Sequence, residues 1–285
     1  MQHVTPDILV ETHHLGSNNA AVRTPEGVVL IDAPHLPSDA VRWRRTVEEL
    51  GEVRYLVQTD HHIDHTMGNA FLPGTIVAHR LTRDGLVHHY PERDYIDALI
   101  ARLDPAGSTL MAGHQVRLPA ITFTDALDLT LGGTTLTLIA MSGHTPNTIV
   151  VLDTEAGVLF SGDDVCSASL PSFQEARVAE WLASLDRIDA LDFDTLVPGH
   201  GELRDHRFVG EFRQWMLDLV GRVEDEVRRG TERDAVVAGV RYPDRIHGAT
   251  EHWAVGYPDD IVESLQVRSI ATIFDQVLSG ELTAS

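Results

Sequence analysis

The run Asp60-His61-His62-Ile63-Asp64-His65 places carboxylates and imidazoles at a spacing that suits metal binding. In an extended segment, side chains two residues apart face the same way, so Asp60, His62 and Asp64 can converge while His61 points elsewhere. Nitrogen and oxygen donors that converge in so short a run suit Zn(II), and also Fe(II) or Mn(II). For this run taken alone, a solvated acidic loop that contains histidines is the alternative.

Three later motifs favour the metal site over the solvated loop. Each follows a predicted strand and lies beside glycine or proline, where irregular loops are free to gather around a cleft. The residues that these motifs contribute are His144 in Gly143-His144-Thr145, Asp163 in Gly162-Asp163, and His200 in Gly199-His200.

In this order, the four motifs resemble the pattern of the metallo-β-lactamase superfamily: His-x-His-x-Asp-His, then Gly-His-Thr, Gly-Asp and Gly-His. The resemblance covers about Ala20 to Glu202. It implies an α/β fold, the four-layer αββα sandwich, and a metal-dependent hydrolase with two Zn(II) ions. It also implies a ligand set divided between a first site of Asp60, His62 and His144 and a second site of Asp64, His65 and His200, with Asp163 bridging the two.

The sequence departs from the family pattern at Asp60, which stands where the first histidine is expected. A carboxylate binds zinc as well, so Asp60 is expected to replace the imidazole. Two further possibilities stay open: His61 substitutes for it, or the first site is weakened and only the second is filled. An added carboxylate also favours harder ions, which keeps Fe(II) and Mn(II) open.

Other residues receive supporting roles. Asp32 resembles the family's buried aspartate that supports the metal loops, and His61 is placed in the same supporting layer. Asp64 is also the candidate for orienting or deprotonating the attacking water. His252 and Trp253 are the pair expected to line the substrate pocket.

Composition excludes several classes of function. The chain has 43 acidic residues against 22 basic ones and a formal charge of -21, which repels nucleic-acid phosphates. All the basic residues are arginine, so no lysine is present for a Schiff base or a phosphate-binding loop. The single cysteine, Cys166, cannot build a cysteine-rich metal site.

No apolar run approaches the ~20 residues of a membrane span, and the first residues do not have the pattern of a secretion signal. We therefore expect a cytoplasmic protein with a small-molecule substrate.

Hydrophobic periodicity predicts the elements that position these motifs. Strands are expected at Ala20 to Pro34 (as a hairpin), Val53 to Thr59, Ile76 to His79, across Ile121 to Phe160, and at Thr195 to Val197. Helices are expected at Ser38 to Leu50, Glu175 to Leu191, Phe208 to Arg229, Thr231 to Gly239 and Asp259 to Ser279. We therefore predict a catalytic core over 1–202 and a helical extension over 203–285 that packs on the core and offers a surface for homodimerisation.

The functional expectation is hydrolysis of a small-molecule ester, thioester, lactone, amide or related bond by metal-activated water. A mononuclear non-haem iron oxygenase of the persulfide-dioxygenase kind is the alternative from a different class of enzyme. A hydrolytic dehalogenase and a non-catalytic binding protein with a degenerate site are also compatible with the motifs.

Overall fold

Alternating residues of the central strands face two different hydrophobic layers. The computed structural model describes residues 1–168, 171–243, 246 and 256–282. In the strand Gly27–Ile31, Val29 and Ile31 pack in one cluster, whereas Val28 and Leu30 pack in another on the opposite face. Both faces are therefore buried, as expected of a sheet that is covered on both sides.

The first sheet has seven strands in chain order. Its first four strands form antiparallel pairs, and the remaining strands join in parallel. The strands are β1 Gln2–Thr5, β2 Ile8–Glu11, β3 Asn19–Thr24, β4 Gly27–Ile31, β5 Val53–Gln58, β6 Thr75–His79 and β7 Ile121–Phe123.

The second sheet has six strands in the order β13-β12-β11-β10-β9-β8. Its neighbouring strands are antiparallel except for β11 and β12, which are parallel. The strands are β8 Ala126–Leu131, β9 Thr134–Ala140, β10 Ile149–Asp153, β11 Val158–Phe160, β12 Thr195–Val197 and β13 Arg204–Asp205.

Helices cover the outer faces of the two sheets. The helices are α1 Pro37–Leu50, α2 Ile63–Thr66, α3 Arg80–His88, α4 Arg93–Leu103, α5 Val178–Asp189, α6 Phe208–Arg228, α7 Arg233–Gly239 and α8 Asp259–Ser279. Trp43 of α1 packs on the first sheet, and Trp181 of α5 and Trp215 of α6 belong to the core on the second sheet. Each of these three tryptophans is at most 2% exposed, so all three are core residues.

The two sheets face each other across a shared core. Val29 and Val57 of the first sheet and Leu138 and Val151 of the second lie in one hydrophobic cluster. Helix, sheet, sheet and helix therefore follow in that order, which confirms the predicted αββα sandwich. β13 pairs with β12, and α6 and α8 complete the core on that side; the boundary at residue 202 stays a prediction.

The sequence-based prediction missed or misplaced several elements. It did not include β1, β2, α3 or α4, and it began α5 at Glu175, whereas the helix begins at Val178. The early start is wrong because the backbone N–H groups just before the helix bond elsewhere: Ala176 to Phe173 O (3.1 Å) and Arg177 to Gly143 O (2.9 Å). Similarly, α7 begins at Arg233 rather than Thr231.

Among the residues that the structure describes, the helices are all too short or too polar to span a membrane.

Candidate metal centre

The candidate ligands lie on loops that leave the carboxyl ends of strands. The run from Asp60 to His65 follows β5, Asp163 follows β11 and His200 follows β12. His144 lies between the paired strands β9 and β10. Because β11 and β12 are parallel, Asp163 and His200 leave the sheet at the same edge.

The extended conformation that was expected for the first motif ends at His62. Ile63–Thr66 form the short helix α2, so Asp64 turns away from Asp60 and His62 instead of converging with them. The structure therefore divides the run between two clusters of donors. Each cluster has its ligand atoms within 4.8 Å of one another.

The first cluster joins Asp60, His62 and His144. Asp60 Oδ2 lies 2.9 Å from His62 Nδ1 and 3.5 Å from His144 Nε2, and the two ring nitrogens are 3.2 Å apart. Asp60 and His144 are almost fully buried, whereas His62 opens to the cavity. Asp60 thus occupies the place at which the family pattern has an imidazole.

The second cluster joins Asp64, His65 and His200. His200 Nε2 lies 3.2 Å from Asp64 Oδ2. His65 is fully buried, and Asp64 is the ligand candidate of this cluster with part of its carboxylate exposed.

Asp163 lies between the two clusters. Its Oδ2 is 3.5 Å from His144 Nε2 in the first cluster. Its Oδ1 is 3.2 Å from His65 Nε2 and 3.3 Å from His200 Nε2 in the second. One carboxylate therefore reaches both sites, as the predicted bridging position requires.

The unpaired atoms in this centre fit a metal ion. His65 Nε2 and Asp163 Oδ1 are buried and, among the described residues, neither has a hydrogen-bond partner although they lie 3.2 Å apart. Their lone pairs and N–H directions are thus not aimed at each other. Buried polar groups without partners are costly, and convergent imidazole and carboxylate donors suit a transition metal.

The protonation of the imidazoles follows from the surrounding carboxylates. Burial disfavours the charged form of His62, but Asp60 and Asp64 outweigh this and raise the pKa of His62 to about 9. In the same way, Asp163 and Asp64 overcome the burial of His200 and raise its pKa to about 10. For His144 burial dominates and lowers the pKa to about 4. Without metal, protons thus occupy part of the ligand set.

Asp32 supports His65 from behind. Its Oδ2 lies 2.8 Å from His65 Nδ1 and accepts a hydrogen bond from Thr59 Oγ1 (2.7 Å), while its Oδ1 accepts one from Thr59 N (2.8 Å). Asp32 adopts a left-handed backbone conformation with φ 56°, which is uncommon outside glycine. This geometry matches the supporting position expected for Asp32.

His61 belongs to neither cluster and faces a different set of residues. Its Nδ1 lies 2.9 Å from Asn147 Nδ2, and its Nε2 lies 3.4 Å from Glu175 Oε2. Its ring stacks on that of His62, with the centroids 4.8 Å apart. With His62 and Glu175, His61 forms a third group of potential ligand atoms, which includes neither Asp60 nor His144. The role of His61 beside Asp60 therefore stays a prediction.

Two residues near the centre were missed by the sequence-based prediction. His35, three residues after Asp32, is 3% exposed, lines the cavity and has no partner for either ring nitrogen among the described residues. Glu175 reaches His61 and lies 3.9 Å from His62 Nε2. His35 follows a strand end as the other candidates do, which was a usable signal. No such signal existed for Glu175, because its spacing placed it in the predicted helix that follows.

A cavity of about 260 Å³ opens onto the metal centre. Asp64, Asp163 and His200 line it together with residues of α4 and α8. The predicted pocket residues His252 and Trp253 lie outside the described residues.

A four-layer αββα sandwich with paired His/Asp clusters at one edge defines a class of metal-binding proteins. The family model of the metallo-beta-lactamase superfamily matches residues 14–200, so the chain belongs to this superfamily, as its motifs predicted. The superfamily binds metal ions, and the two clusters have the composition and spacing to do so here.

Two curated relatives bear on function. A linear primary-alkylsulfatase from Pseudomonas sp. (strain ATCC 19151) is 22% identical over 274 residues, which cover 81% of this chain and 51% of that protein. A beta-lactamase-like protein 2 homolog from Caenorhabditis elegans is 32% identical over 81 residues, 28% of this chain and 27% of that protein. The chain thus spans about half the length of the alkylsulfatase and less of the second relative.

Solved structures agree on the fold. A metallo-beta-lactamase from Pontibacter korlensis aligns with a TM-score of 0.57 and 20% identity, covering 75% of this chain and 97% of that one. A double mutant of a sec-alkyl sulfatase aligns with a TM-score of 0.61 and 14% identity, covering 96% of this chain and 49% of that one. The second alignment extends beyond residue 200, into the helices that follow the family match.

Proposed function

We propose that this protein is a hydrolase that cleaves an ester, thioester, lactone, amide or related bond of a small molecule with the help of two transition-metal ions. The observation that carries the proposal is the position of Asp163, whose two carboxylate oxygens face two separate donor clusters. A single carboxylate that bridges two metal sites is a recurrent arrangement for hydrolysis.

The residues divide into two proposed sites. Asp60, His62 and His144 hold the first ion, Asp64, His65 and His200 hold the second, and Asp163 touches both. When bound, such ions lower the pKa of a coordinated water and polarise the bond to be cleaved. Zn(II) is the proposed ion, and Fe(II) or Mn(II) suit the carboxylate-rich first site.

Asp64 has the exposure that a role in the reaction needs. Its side chain is 21% exposed and lines the cavity, whereas the ligand candidates Asp60 and His65 are fully buried. We assign Asp64 a second task, which is to accept a proton from the attacking water and to hold that water in line with the substrate.

A second candidate function rests on the first cluster alone. Asp60, His62 and His144 supply two histidines and one carboxylate, the ligand type of mononuclear non-haem iron oxygenases. That function uses neither Asp64 nor His200. It predicts one stoichiometric iron and oxygen consumption with a persulfide substrate.

The deciding experiment counts metals and measures turnover on the same preparation. Protein purified without added metal is analysed for Zn, Fe and Mn and assayed with ester, thioester, lactone, amide and alkyl sulfate substrates. We expect two ions per chain and hydrolysis that chelation abolishes and added Zn(II) restores. Asp163→Asn should lose both the bound metal and the hydrolytic activity. Asp192→Asn, which changes a carboxylate outside the centre, should lose neither the metal nor the activity. One iron with oxygen uptake and no hydrolysis would refute the proposal in favour of the oxygenase.

A further inference from the structure

The cavity extends from the metal centre into a space between α4 and α8. Ile96 and Ile100 on one face of α4 pack into a buried cluster of the core. Tyr95, Leu99 and Leu103, four residues apart, line the cavity from another face. Tyr95 is 58% exposed, so this second apolar face of α4 is incompletely covered.

α8 presents the opposing wall in the same manner. Ile270 and Ile273 pack into the core with α6, whereas Ile261, Leu265 and Arg268 line the cavity from successive turns. We call the apolar space between α4 and α8 the slot. Its walls are formed by Tyr95, Leu99, Leu103, Ile261 and Leu265.

The two ends of the slot differ. At one end Arg102 and Asp260 join α4 to α8 through two hydrogen bonds of 2.7 and 2.5 Å. At the other end Ser269 Oγ accepts a hydrogen bond from Phe173 N (3.0 Å), which fixes α8 beside the loop that carries Glu175 towards His61. The slot therefore runs from an ion pair at the surface to the metal centre.

Arg268 lies at the metal end of the slot. Arg268 is exposed and lines the cavity, and its Nε donates to Ser264 O at 3.3 Å. No carboxylate of the described residues forms an ion pair with it. The acidic residues of the cavity lining, Asp64, Asp163 and Glu175, belong to the metal centre and its margin. The slot thus combines apolar walls with one cation that lacks an anionic partner.

Building on the proposed hydrolase function, we propose that the substrate is an amphiphilic organic anion. Its hydrocarbon part lies in the slot, and its anionic group is held by Arg268 beside the metal centre. Apolar walls supply affinity in proportion to the area that they cover, and a single well-placed polar group supplies orientation. In a chain with a formal charge of -21, an anionic substrate needs such a cation.

Straight-chain carboxylates serve as the probe, because they have no bond for a hydrolase to cleave. Binding of hexanoate, octanoate, decanoate and the neutral decanamide to the metal-loaded protein is measured by calorimetry. We expect the Kd of the carboxylates to fall about fourfold for each added methylene. Arg268→Gln should weaken decanoate binding by about tenfold or more and leave decanamide unchanged. The matched control, Arg45→Gln on the exposed face of α1, should change neither.

A second pair of variants tests the walls. Leu99→Gln should weaken decanoate and decanamide alike and reduce the dependence on chain length, whereas Val87→Gln, at an exposed position on α3, should not. A Kd that is independent of chain length would overturn the slot. Carboxylate binding that Arg268→Gln leaves unchanged would place the anion on the metal and overturn the role of Arg268.

Failure of this inference and failure of the proposed function are distinguishable. Binding that follows the expected pattern in a protein without hydrolytic turnover would refute the hydrolase and keep the slot. Turnover of short neutral esters, with a carboxylate Kd that does not depend on chain length, would keep the hydrolase and refute the slot.

Discussion

His65 Nδ1 lies 2.8 Å from Asp32 Oδ2, and this contact points the opposite ring nitrogen of His65 at the metal centre. Asp32 is itself fixed by hydrogen bonds from Thr59 N and Oγ1. A histidine that ligates a metal through one nitrogen needs its other nitrogen to donate to an acceptor, which sets the tautomer. Asp32 therefore holds the His65 ring and is itself a member of neither donor cluster.

Asp32→Asn should weaken metal binding at the second site by about 10- to 100-fold, because an amide is a poorer acceptor for His65 Nδ1–H. Asparagine tolerates the left-handed backbone that Asp32 adopts, so the loop should keep its shape. Competition with a chromogenic chelator measures the affinity, and Asp192→Asn is the control. Unchanged zinc affinity would mean that Asp32 only stabilises the fold.

The strands that carry the ligands were predictable because their side chains alternate between two buried layers. β5 and β12 agree with the sequence-based prediction within about a residue at their ends, and β8 to β11 lie in the region from Ile121 to Phe160 that was predicted to be rich in strands. The two ligand groups also agree with those implied by the family pattern.

What the sequence did not reveal depends on tertiary contacts. α4 carries apolar residues on a face towards the core and on a face towards the cavity. Its sequence therefore lacks the single apolar face by which an amphipathic helix is recognised. Glu175 falls in line with the hydrophobic spacing of α5, yet hydrogen bonds to the neighbouring backbone hold that segment out of the helix. No local pattern encodes either arrangement.

Asp60→Ala should reduce the metal content from two ions to one per chain. Asp60 is fully buried and lies against both His62 and His144, so its loss removes a ligand and leaves the first site with two imidazoles and Asp163. Elemental analysis after gel filtration gives the count. Asp60→His, which restores the family pattern, should keep two ions.

His61→Ala is the matched comparison for Asp60→Ala and should keep both ions, because the ring nitrogens of His61 contact Asn147 and Glu175 and neither Asp60 nor His144. Loss of an ion in His61→Ala with none in Asp60→Ala would mean that His61 is the ligand. One ion in the wild type and in every variant would mean that the first site is empty.

His35→Leu should stabilise the metal-free protein while reducing turnover. Both ring nitrogens of His35 are buried and unpaired within the described part of the chain, and burial lowers the pKa of this imidazole, which favours its neutral form. An unpaired buried polar group costs about 1–3 kcal/mol, which leucine removes. Turnover should fall because His35 lines the cavity beside Asp64. Urea unfolding gives the stability, and a destabilised His35→Leu would show that the ring nitrogens have partners in the folded protein.

The stability of the metal-free protein should fall as pH rises from about 6.5, the ordinary pKa of histidine, to 8.5. His62 and His200 have folded-state pKa values of about 9 and about 10, so they keep their protons across this window while the unfolded chain loses them. A group whose pKa is raised by folding contributes stability that is complete below its unfolded pKa and is lost as the pH approaches the folded value. Burial also raises the pKa of the Cys166 thiol, which adds a loss of the same sign above about 8.5.

The same protons oppose metal binding, since an imidazole must be neutral to be a ligand. Zinc binding at pH 7.5 should therefore release protons from His62 and His200, whereas His144, with a pKa of about 4, has none to release. Calorimetry in two buffers of different ionisation enthalpy measures the release. Urea unfolding in a chelator at pH 6.5 and 8.5 measures the stability, with the His62→Gln/His200→Gln double variant as the control, whose pH dependence should be flatter. Zinc binding without proton release, together with stability that is flat over this window, would mean that the carboxylates do not hold these imidazoles charged.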